Sequence, residues 1–292
     1  MNKEWVVKEP EELLKHLFSM MPNKSRNAVK SILGRGQVMV NGKVSKQFND
    51  SLKPGDRIEI LSQVVTENMR LKGIKVIHED DDVIVIEKDA GLLTIADHTE
   101  QDMTAYRQVT RYIQQLHPKR QIFIVHRLDR DTSGLLIFAK SQEVQQKLQK
   151  SWETSVKERT YIALVEGTVK EGGTVTSWLT EGKTYKVHSS PVDNGGKKAI
   201  THYKVLKSSR DFSMLRVNLD TGRKNQIRVH MQDIGHPVVG DKKYGSRLNP
   251  ARRLGLHAHA IKFVHPRTGK MMRFESKAPA AFLKVFKSGG SK

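Results

Sequence analysis

Cysteine is absent from the 292 residues, which excludes disulfide bridges, a thiol nucleophile and every metal site held by thiolates. The chain also has no apolar run near the roughly 18 residues that a membrane-spanning helix requires, and it has no long-period repeat. Its first residues, MNKEWVVKEPEELL, carry acidic side chains where a secretory signal peptide is apolar. We therefore expect a cytoplasmic protein.

Acidic residues are few relative to basic ones. The chain has 51 Lys and Arg against 31 Asp and Glu, which gives a formal net charge of +20. A surplus of this size does not predict a fold. It favours a polyanionic partner, either nucleic acid or an acidic membrane surface.

The sequence pattern predicts a small module over residues 1–62. Apolar side chains follow helical spacing in residues 11–20 and again after Ser25, which is a suitable cap for a second helix. Two glycines end that helix, and Asn41-Gly42 is typical of a tight turn between two short strands. We therefore expect a small domain of helices and a β-hairpin.

The small module carries a run of positive charge that no acid interrupts. Between residues 21 and 49 the cations are Lys24, Arg26, Lys30, Arg35, Lys43 and Lys46. A charge run is often a solvated helix face. Because this run adds to a chain already at +20, we interpret it as a phosphate-binding surface. Its candidate contacts are Lys24, Arg26, Arg35 and Lys43.

The rest of the chain predicts a second, larger domain. A polar stretch over 63–73 is the expected linker, residues 74–286 form the domain, and 287–292 form a flexible tail. Strand-like runs come mostly as neighbours, and two stretches with helical spacing, 104–116 and 141–155, interrupt them. This order predicts an α+β domain with a largely antiparallel sheet, rather than a doubly wound parallel fold.

The stretch VHRLDRDTSGLLIFAKS is the most informative part of this domain. Polar and glycine residues lie between two apolar runs, so Asp129 and Asp131 are predicted in a loop held by strands. Because Arg127 and Arg130 flank these acids, we expect Asp129 to be ionised and available as a nucleophile or base. A salt-bridged turn is the alternative interpretation of the same spacing.

Other chemistries find little support in the residues. A carboxylate pair flanked by arginines does not easily keep one proton, and Ser133 lacks the Gly-x-Ser-x-Gly elbow of the hydrolases. No glycine-rich loop matches a nucleotide-binding motif. The histidines lack metalloprotease spacing, and His257 and His259 alternate in a strand-like run that is more typical of hydrogen-bonded structural histidines.

A second basic segment, DTGRKNQIRVHMQDIG, predicts a turn followed by a helix. Ile227 lies on the apolar face of this helix and Arg228 at the edge of that face. Arg223 and Lys224 lie at its amino end, where cations oppose the helix dipole and need an anion nearby. That anion is either a phosphate, which makes Arg223 a candidate substrate contact, or a buried carboxylate such as Asp129.

Several of these stretches together resemble one known family. His126–Gly134, HRLDRDTSG, resembles the signature loop of the RluA-type pseudouridine synthases. EKDAGLL, KERTYIALVEG, TGRKNQIRVH and RLGLHAHAIKFVHP resemble its other motifs, so that the likeness covers about residues 74–285. Residues 11–61 are similar to the RNA-binding domain named after ribosomal small-subunit protein four. Two positions depart from the family pattern. Asp89 stands where the family usually has proline, and Asn225 stands where it usually has histidine.

The resemblance implies an isomerase that detaches uracil from ribose at N1 and rejoins it through C5, without a metal or organic cofactor. It implies that Asp129 is the nucleophile, attacking either ribose C1′ or the base ring, and that Arg228 pairs with it. Tyr161 would stack on the base and help to remove the C5 proton. Arg127 and Ile227 would contact the flipped nucleotide.

The resemblance also implies the fold and the partner. The fold would be a mixed, largely antiparallel sheet flanked by helices, and the partner would be RNA, with no membrane and no obligate protein partner. Ribosomal RNA is the favoured substrate and transfer RNA stays open. A non-catalytic RNA-binding or ribosome-assembly factor on the same scaffold is the alternative, and an RNA-cleaving enzyme would need a paired general acid and base.

Overall fold

The computed structural model describes residues 3–34, 36–60, 71–116 and 118–287. Two compact units result, Met1–Lys72 with Thr110–Arg120, and Gly73–Val109 with Gln121–Lys292. Three expectations fall outside the described residues: Arg35, most of the linker over 63–73, and all but the first residue of the tail over 287–292. The domain boundaries stay a prediction. Among the described helices, none is both long and apolar enough to cross a membrane.

The first unit has short strands around two helices. Its elements are β1 Lys3–Val6, β2 Glu11–Glu12, α1 Leu13–Met20, α2 Arg26–Gly34, β3 Val38–Val40, β4 Lys43–Ser45, β5 Ser51–Leu52 and β6 Arg57–Ile60. Strands β1, β6, β3 and β4 form an antiparallel sheet in that order, and β2 pairs with β5. The expected helices and hairpin are present, and β1 is an addition that the sequence pattern did not predict.

Local sequence explains this unit. The backbone N–H of Ala28 donates to Ser25 Oγ at 3.2 Å, so Ser25 caps α2 as expected. Asn41 and Gly42 both have positive φ angles, 49° and 77°, which a two-residue hairpin turn requires. The apolar faces of both helices pack into one core, which includes Leu17 and Leu33.

The larger part of the chain contributes eleven strands and five α-helices to the described structure. Its strands are β7 Ile74–Glu79, β8 Val83–Lys88, β9 Phe123–Ile124, β10 Ser133–Ala139, β11 Val156–Glu166, β12 Gly173–Glu181, β13 Val187–Ser190, β14 Lys197–Ser208, β15 Phe212–Leu219, β16 Leu256–Val264 and β17 Met271–Glu275. Its helices are α3 Ala105–Leu116, α4 Gln142–Lys150, α5 Trp152–Ser155, α6 Gln226–Asp233 and α7 Ala280–Lys284.

These eleven strands form one mixed sheet. Nine follow the order β13-β12-β14-β15-β11-β16-β10-β8-β7, while β9 pairs with β10 and β17 with β16. The pair β10–β16 is parallel, and the other described pairs of this sheet are antiparallel. The predicted α+β class with a largely antiparallel sheet is therefore confirmed. Strands β12, β13 and β17 were not predicted.

Strand β10 lies near the middle of the sheet and positions the loop that precedes it. All seven of its residues are buried, as a nearly uniform apolar strand requires when both sheet faces are covered. Helix α4 covers one side, where Val144 and Leu148 pack on Leu135 and Ile137. Helix α6 contributes Ile227 and Met231 to a separate core cluster. The loop before β10 is therefore attached to a strand that is packed on both faces.

Candidate active site

A cavity of about 300 Å³ opens between the loop before β10, strand β11 and the start of α6. Its lining includes every candidate that the sequence assigned to the larger domain. These are Asp129, Tyr161, Arg228, Arg127, Ile227 and Arg223. The three motifs that carry them are separated by up to about a hundred positions in the chain, and the fold brings them to one place.

Buried hydrogen bonds fix the backbone on either side of Asp129. Lys88 Nζ donates to the carbonyl oxygen of Arg130 at 3.0 Å, and also to those of Asp89 and Leu92. Thr94 Oγ1 donates to the carbonyl oxygen of Leu128 at 2.7 Å. The residues before and after Asp129 are thus anchored, so the carboxylate projects from a loop with little freedom.

Lys88 is fully buried, and this changes its ionisation. Burial lowers the pKa of Lys88 to about 8, while the nearby carboxylates of Asp131 and Asp129 act in the opposite direction. The ammonium group is therefore still charged at neutral pH and donates to three carbonyl oxygens. Asp89, the first departure from the family pattern, is exposed and supplies one of those carbonyls.

The other end of the loop joins β10 where that strand meets β16. Gly134 has φ +116°, and a Cβ there would lie 2.1 Å from the carbonyl oxygen of Ala258. Ser133 Oγ lies 2.7 Å from His257 Nδ1 and accepts a hydrogen bond from Arg253 at 2.7 Å. Burial lowers the pKa of His257 to about 4, so this network contains a neutral imidazole.

Arg228 contacts two carboxylates unequally. Its Nε and Nη2 donate to the two oxygens of Asp241 at 2.5 and 2.8 Å, a bidentate pair. Its Nη1 reaches Asp129 Oδ2 only at 3.5 Å. The expected contact between Arg228 and Asp129 is present but long, and the buried Asp241 carboxylate, which the sequence did not predict, is the main partner and fixes the guanidinium.

Asn225 connects Arg228 to its surroundings. It accepts from Arg228 Nη1 at 3.0 Å and donates to the hydroxyl of Tyr244 at 3.0 Å. Its backbone is left-handed, with φ 55°, a conformation that asparagine tolerates better than most residues. The guanidinium of Arg228 also lies 4.9 Å from the Tyr244 ring centroid. The second departure from the family pattern therefore supports the site.

Tyr161 faces the same cavity from the middle of β11. Burial raises the pKa of Tyr161 to about 12, and the Asp129 charge adds to that shift while Arg159 opposes it. Tyr161 is therefore a neutral phenol at physiological pH. A neutral phenol suits stacking and hydrogen bonding, and it is a poor proton acceptor.

The cations at the mouth of the cavity have partners other than Asp129. Arg223 Nε donates to the carbonyl oxygen of Lys198 at 3.1 Å, and Lys224 pairs with Glu181. Asp129, whose side chain is 32% exposed, is thus left facing the cavity. Arg223 and Lys224, which precede α6, therefore do not supply the pairing with Asp129 that the sequence offered as one alternative.

The candidate contacts of the small domain are exposed wherever the structure describes them. Lys24, Arg26 and Lys43 all present their side chains at the surface. The Arg26 guanidinium lies 5.5 Å from the Phe18 ring centroid. Arg35 lies outside the described residues.

One other group of residues has metal-ligating side chains close together. Asp80, Asp82 and His265 place their ligand atoms within 4.8 Å of one another. Arg267 Nε donates to both oxygens of Asp82 at 2.8 Å, and Asp80 accepts from the backbone N–H groups of Asp82 and Val83. These partners account for the carboxylates without an ion.

Sequence reasoning missed Asp241, Tyr244 and Lys88. The first two lie in VVGDKKYG, directly after the basic helix. A single acid among lysines is the one feature of this segment that could have pointed to Asp241 as a partner for a cation. Lys88 is the last residue of a strongly apolar strand, VIVIEK, which places it next to the loops at that end of the strand.

Comparison with known proteins agrees with this geometry. The sequence model of a family described as RNA pseudouridylate synthase matches residues 82–233. The chain is 32% identical over 281 residues to ribosomal large subunit pseudouridine synthase D of Salmonella typhimurium, covering 90% of this chain and 86% of that protein. It is 31% identical over 287 residues to the protein of the same name from Haemophilus influenzae, covering 92% and 88%.

Solved structures share the fold. A structure titled human RNA pseudouridylate synthase domain containing 4 superposes with a TM-score of 0.60 at 20% identity, covering 73% of this chain and 91% of that one. The structure titled human RNA pseudouridylate synthase domain containing 1 gives 0.58 at 24% identity, covering 73% and 87%. At this identity the likeness concerns the fold alone, and it agrees with the predicted architecture.

Proposed function

This chain belongs to the RNA pseudouridylate synthase family, and from that membership we propose that it isomerises uridines in the ribosomal RNA of the large subunit. The enzyme class is an isomerase that acts on RNA. The substrate proposal rests on relatives that match over most of their length and are named for that ribosomal subunit. Transfer RNA is the second candidate, because the motifs carry no information about RNA shape.

We propose that the cavity between β11 and α6 holds the flipped uracil. A base inside an RNA helix must leave its stack before chemistry can reach it. Tyr161, as a neutral phenol, offers a ring on which the base stacks, which returns roughly 1–3 kcal/mol of the unstacking energy. Ile227 supplies an apolar wall, and Arg127 lies at the exposed mouth.

Asp129 is the proposed nucleophile. In one path its carboxylate attacks ribose C1′ and the N1–C1′ bond breaks, leaving the uracil as an anion. The base then turns, C5 bonds to C1′ as the carboxylate departs, and the C5 proton leaves while N1 gains one. Attack on the base ring is the other path. Because Tyr161 is a poor proton acceptor, we assign the C5 proton in the first path to the released Asp129 carboxylate.

Arg228 is proposed to stabilise the Asp129 charge without neutralising it. Asp241 holds the guanidinium through two hydrogen bonds, so the contact at 3.5 Å to Asp129 stays long. A carboxylate with only one long contact is stabilised by the guanidinium and is still able to attack. The one observation that carries the proposal is this convergence of Asp129, Tyr161 and Arg228 on a single cavity.

The small domain and the cellular location complete the proposal. We assign residues 1–62 an RNA-binding role, supported by exposed cations on a compact fold with its own core. The protein is proposed to work in the cytoplasm, where the RNA is found, and without an obligate protein partner.

A tritium-release assay tests this function. The purified protein alone is incubated with unmodified transcripts labelled at uridine C5: large-subunit ribosomal RNA, small-subunit ribosomal RNA and a transfer RNA pool. We expect tritium release from the large-subunit transcript, with intact strand length, and pseudouridine at defined positions. Release from the transfer RNA pool alone would assign the other substrate, and binding without release from any transcript would indicate a non-catalytic factor.

A further inference from the structure

We propose that a second cavity, beside the active site, binds the nucleotide that neighbours the target uridine. This cavity has a volume of about 500 Å³ and lies between the ends of β12 and β13 and the turn before β14. The inference rests on the proposed RNA isomerase function, since it assigns a further part of the same substrate.

The two cavities are contiguous. Gly222, Arg223 and Lys224, which precede α6, line both of them. A polynucleotide whose uracil enters the first cavity therefore places an adjacent nucleotide within reach of the second. The second cavity is also the larger of the two, in keeping with an occupant that brings a phosphate as well as a base.

The lining of the second cavity is positively charged. It contains Lys197, Arg223 and Lys224 against a single acid, Glu181, which pairs with Lys224. The Arg223 side chain is held by its hydrogen bond to the carbonyl oxygen of Lys198, and Lys197 is exposed. The excess of cations fits a phosphodiester, because lysine and arginine contacts to phosphate supply most of the sequence-independent affinity for nucleic acid.

An aromatic ring lies against Lys224, one of the residues that line this cavity. Tyr185, in the turn between β12 and β13, is 72% exposed, and its ring centroid lies 5.5 Å from Lys224 Nζ. The turn is not loose, since the Tyr185 N–H donates to the Gly182 carbonyl at 2.9 Å and Lys243 donates to the Tyr185 carbonyl at 2.9 Å. A fixed, exposed ring among cations is the arrangement that single-stranded nucleic acid uses for stacking.

The backbone of Tyr185 supports a functional interpretation of its exposure. Its φ is 58°, in the left-handed region that large side chains seldom occupy. A ring that points into solvent from such a position does not stabilise the fold by being buried. Stacking on a base would explain why the ring is exposed there. We therefore assign the phosphate to Lys197 with Arg223, and the base to Tyr185.

The phosphate contact is tested by salt dependence. Binding of a uridine dodecamer is titrated from 50 to 200 mM salt for the full chain, Lys197→Ala and the control Lys204→Ala, which removes an exposed cation farther along the same strand. We expect Lys197→Ala to make the slope of log affinity against log salt shallower by about 0.7. Lys204→Ala should match the unaltered protein. Equal effects of the two variants, or none, would overturn the assignment.

The stacking contact is tested by replacing the ring. Tyr185→Ala should weaken dodecamer binding about tenfold, whereas Tyr185→Phe keeps the ring and should bind within about twofold of the unaltered protein. With the large-subunit transcript in the tritium assay, Tyr185→Ala should raise KM by a similar factor and leave kcat unchanged. Normal binding by Tyr185→Ala, or a loss shared by Tyr185→Phe, would overturn the inference.

The failure of this inference is distinguishable from failure of the proposed function. Dodecamer binding does not depend on which RNA is modified, so it tests the second cavity even if ribosomal RNA is not the substrate. Conversely, tritium release by the unaltered protein tests the isomerase whether or not Lys197 and Tyr185 contribute.

Discussion

Arg228 lies between two carboxylates and binds them with different strength. The buried Asp241 takes two hydrogen bonds, and Asp129 takes one long contact. If the order were reversed, the proposed nucleophile would be tied into a tight ion pair and would lose reactivity. Asp241 is therefore as important to the proposed site as Asp129, although it does not line the cavity.

Removal of the Asp241 charge tests this arrangement. We expect Asp241→Asn to lower the free energy of unfolding by about 3–5 kcal/mol, because a buried guanidinium loses its partner. We also expect kcat to fall at least about tenfold, as Arg228 then turns to Asp129. Urea unfolding and the tritium assay measure the two effects.

The matched control is Glu143→Gln, which breaks an exposed pair with Lys147 on α4 that lines neither cavity. An exposed pair contributes at most about 1 kcal/mol to stability, and kcat should be unchanged. Equal stability of the two variants would contradict the role given to Asp241.

At this scale the sequence predicted part of the site. Asp129, Tyr161 and Arg228 lie in stretches with a recognisable pattern. Asp241 does not lie in such a stretch. It is thirteen positions beyond Arg228 and past the end of α6, so neither helical nor strand periodicity relates the two residues. Contacts of that kind depend on where a loop turns back, which composition and periodicity do not encode.

Strand β10 links the core of the sheet to the loop that carries Asp129. Its first residues form the parallel pair with β16, where Ser133 lies opposite His257 and Gly134 opposite Ala258. Two backbones approach each other so closely there that no side chain fits at Gly134. Strand β10 thus fixes the point where the loop ends, while Lys88 and Thr94 hold the backbone around Asp129.

A methyl group at Gly134 tests this element. We expect Gly134→Ala to abolish soluble folding or to lower the free energy of unfolding by more than about 3 kcal/mol, because a left-handed residue and a backbone clash coincide. The comparison variant is Gly269→Ala, which has φ +68° and open space around it. It should cost only about 1–2 kcal/mol. Thermal unfolding of the two variants measures both losses of stability. Similar losses would contradict the close approach of the two backbones at Gly134.

Element prediction succeeded where the pattern was strong. Strand β10 is an uninterrupted apolar run and helix α2 follows a clear cap residue, and both were predicted. Strand β12, GTVTSWLTE, carries polar residues at most positions, including the buried Ser177, and was missed. Helix α6 begins at Gln226 rather than at the basic run, because left-handed Asn225 precedes it.

Among the residues that the structure describes, three histidines have pKa values lowered by burial, so that their protonation opposes folding. Burial lowers the pKa of His126 to about 3 and the pKa values of His230 and His257 to about 4. Unfolded histidine titrates near a pKa of about 6.5. Between these values the unfolded chain binds more protons, so the stability present above pH 6.5 is lost as pH falls.

This linkage gives a measurable slope. We expect the free energy of unfolding to fall between pH 6.5 and 4.5 by up to about 1.4 kcal/mol per pH unit for each of the three histidines. Urea denaturation at several pH values measures it, and His257→Gln should reduce the slope by about one third of the total. A flat profile across this window would contradict the burial of these imidazoles as neutral rings.

The net charge of +20 is a property of the whole chain, and its part in RNA binding is testable in the small domain. We expect Arg26→Ala to weaken RNA binding and to make the salt slope shallower by about 0.7–0.9, one phosphate contact. Lys270→Ala removes an exposed cation from the β16–β17 turn and should leave the slope unchanged. An unaltered slope in Arg26→Ala would argue against the small domain as an RNA contact.

At the scale of the molecule, the sequence predicted the class of fold and the family but not the exact strand order. The single parallel pair within an antiparallel sheet joins strands more than a hundred residues apart. Pairings over such distances follow from packing of the completed core, which no local pattern specifies.

In the proposed reaction the Asp129 carboxylate is the nucleophile. Asp129→Asn keeps the size of the side chain and removes its charge, so we predict an unchanged unfolding transition and RNA affinity within about threefold of the unaltered protein. Tritium release from the large-subunit transcript should fall to background. Pseudouridine formation by Asp129→Asn at a rate near that of the unaltered protein would contradict the account.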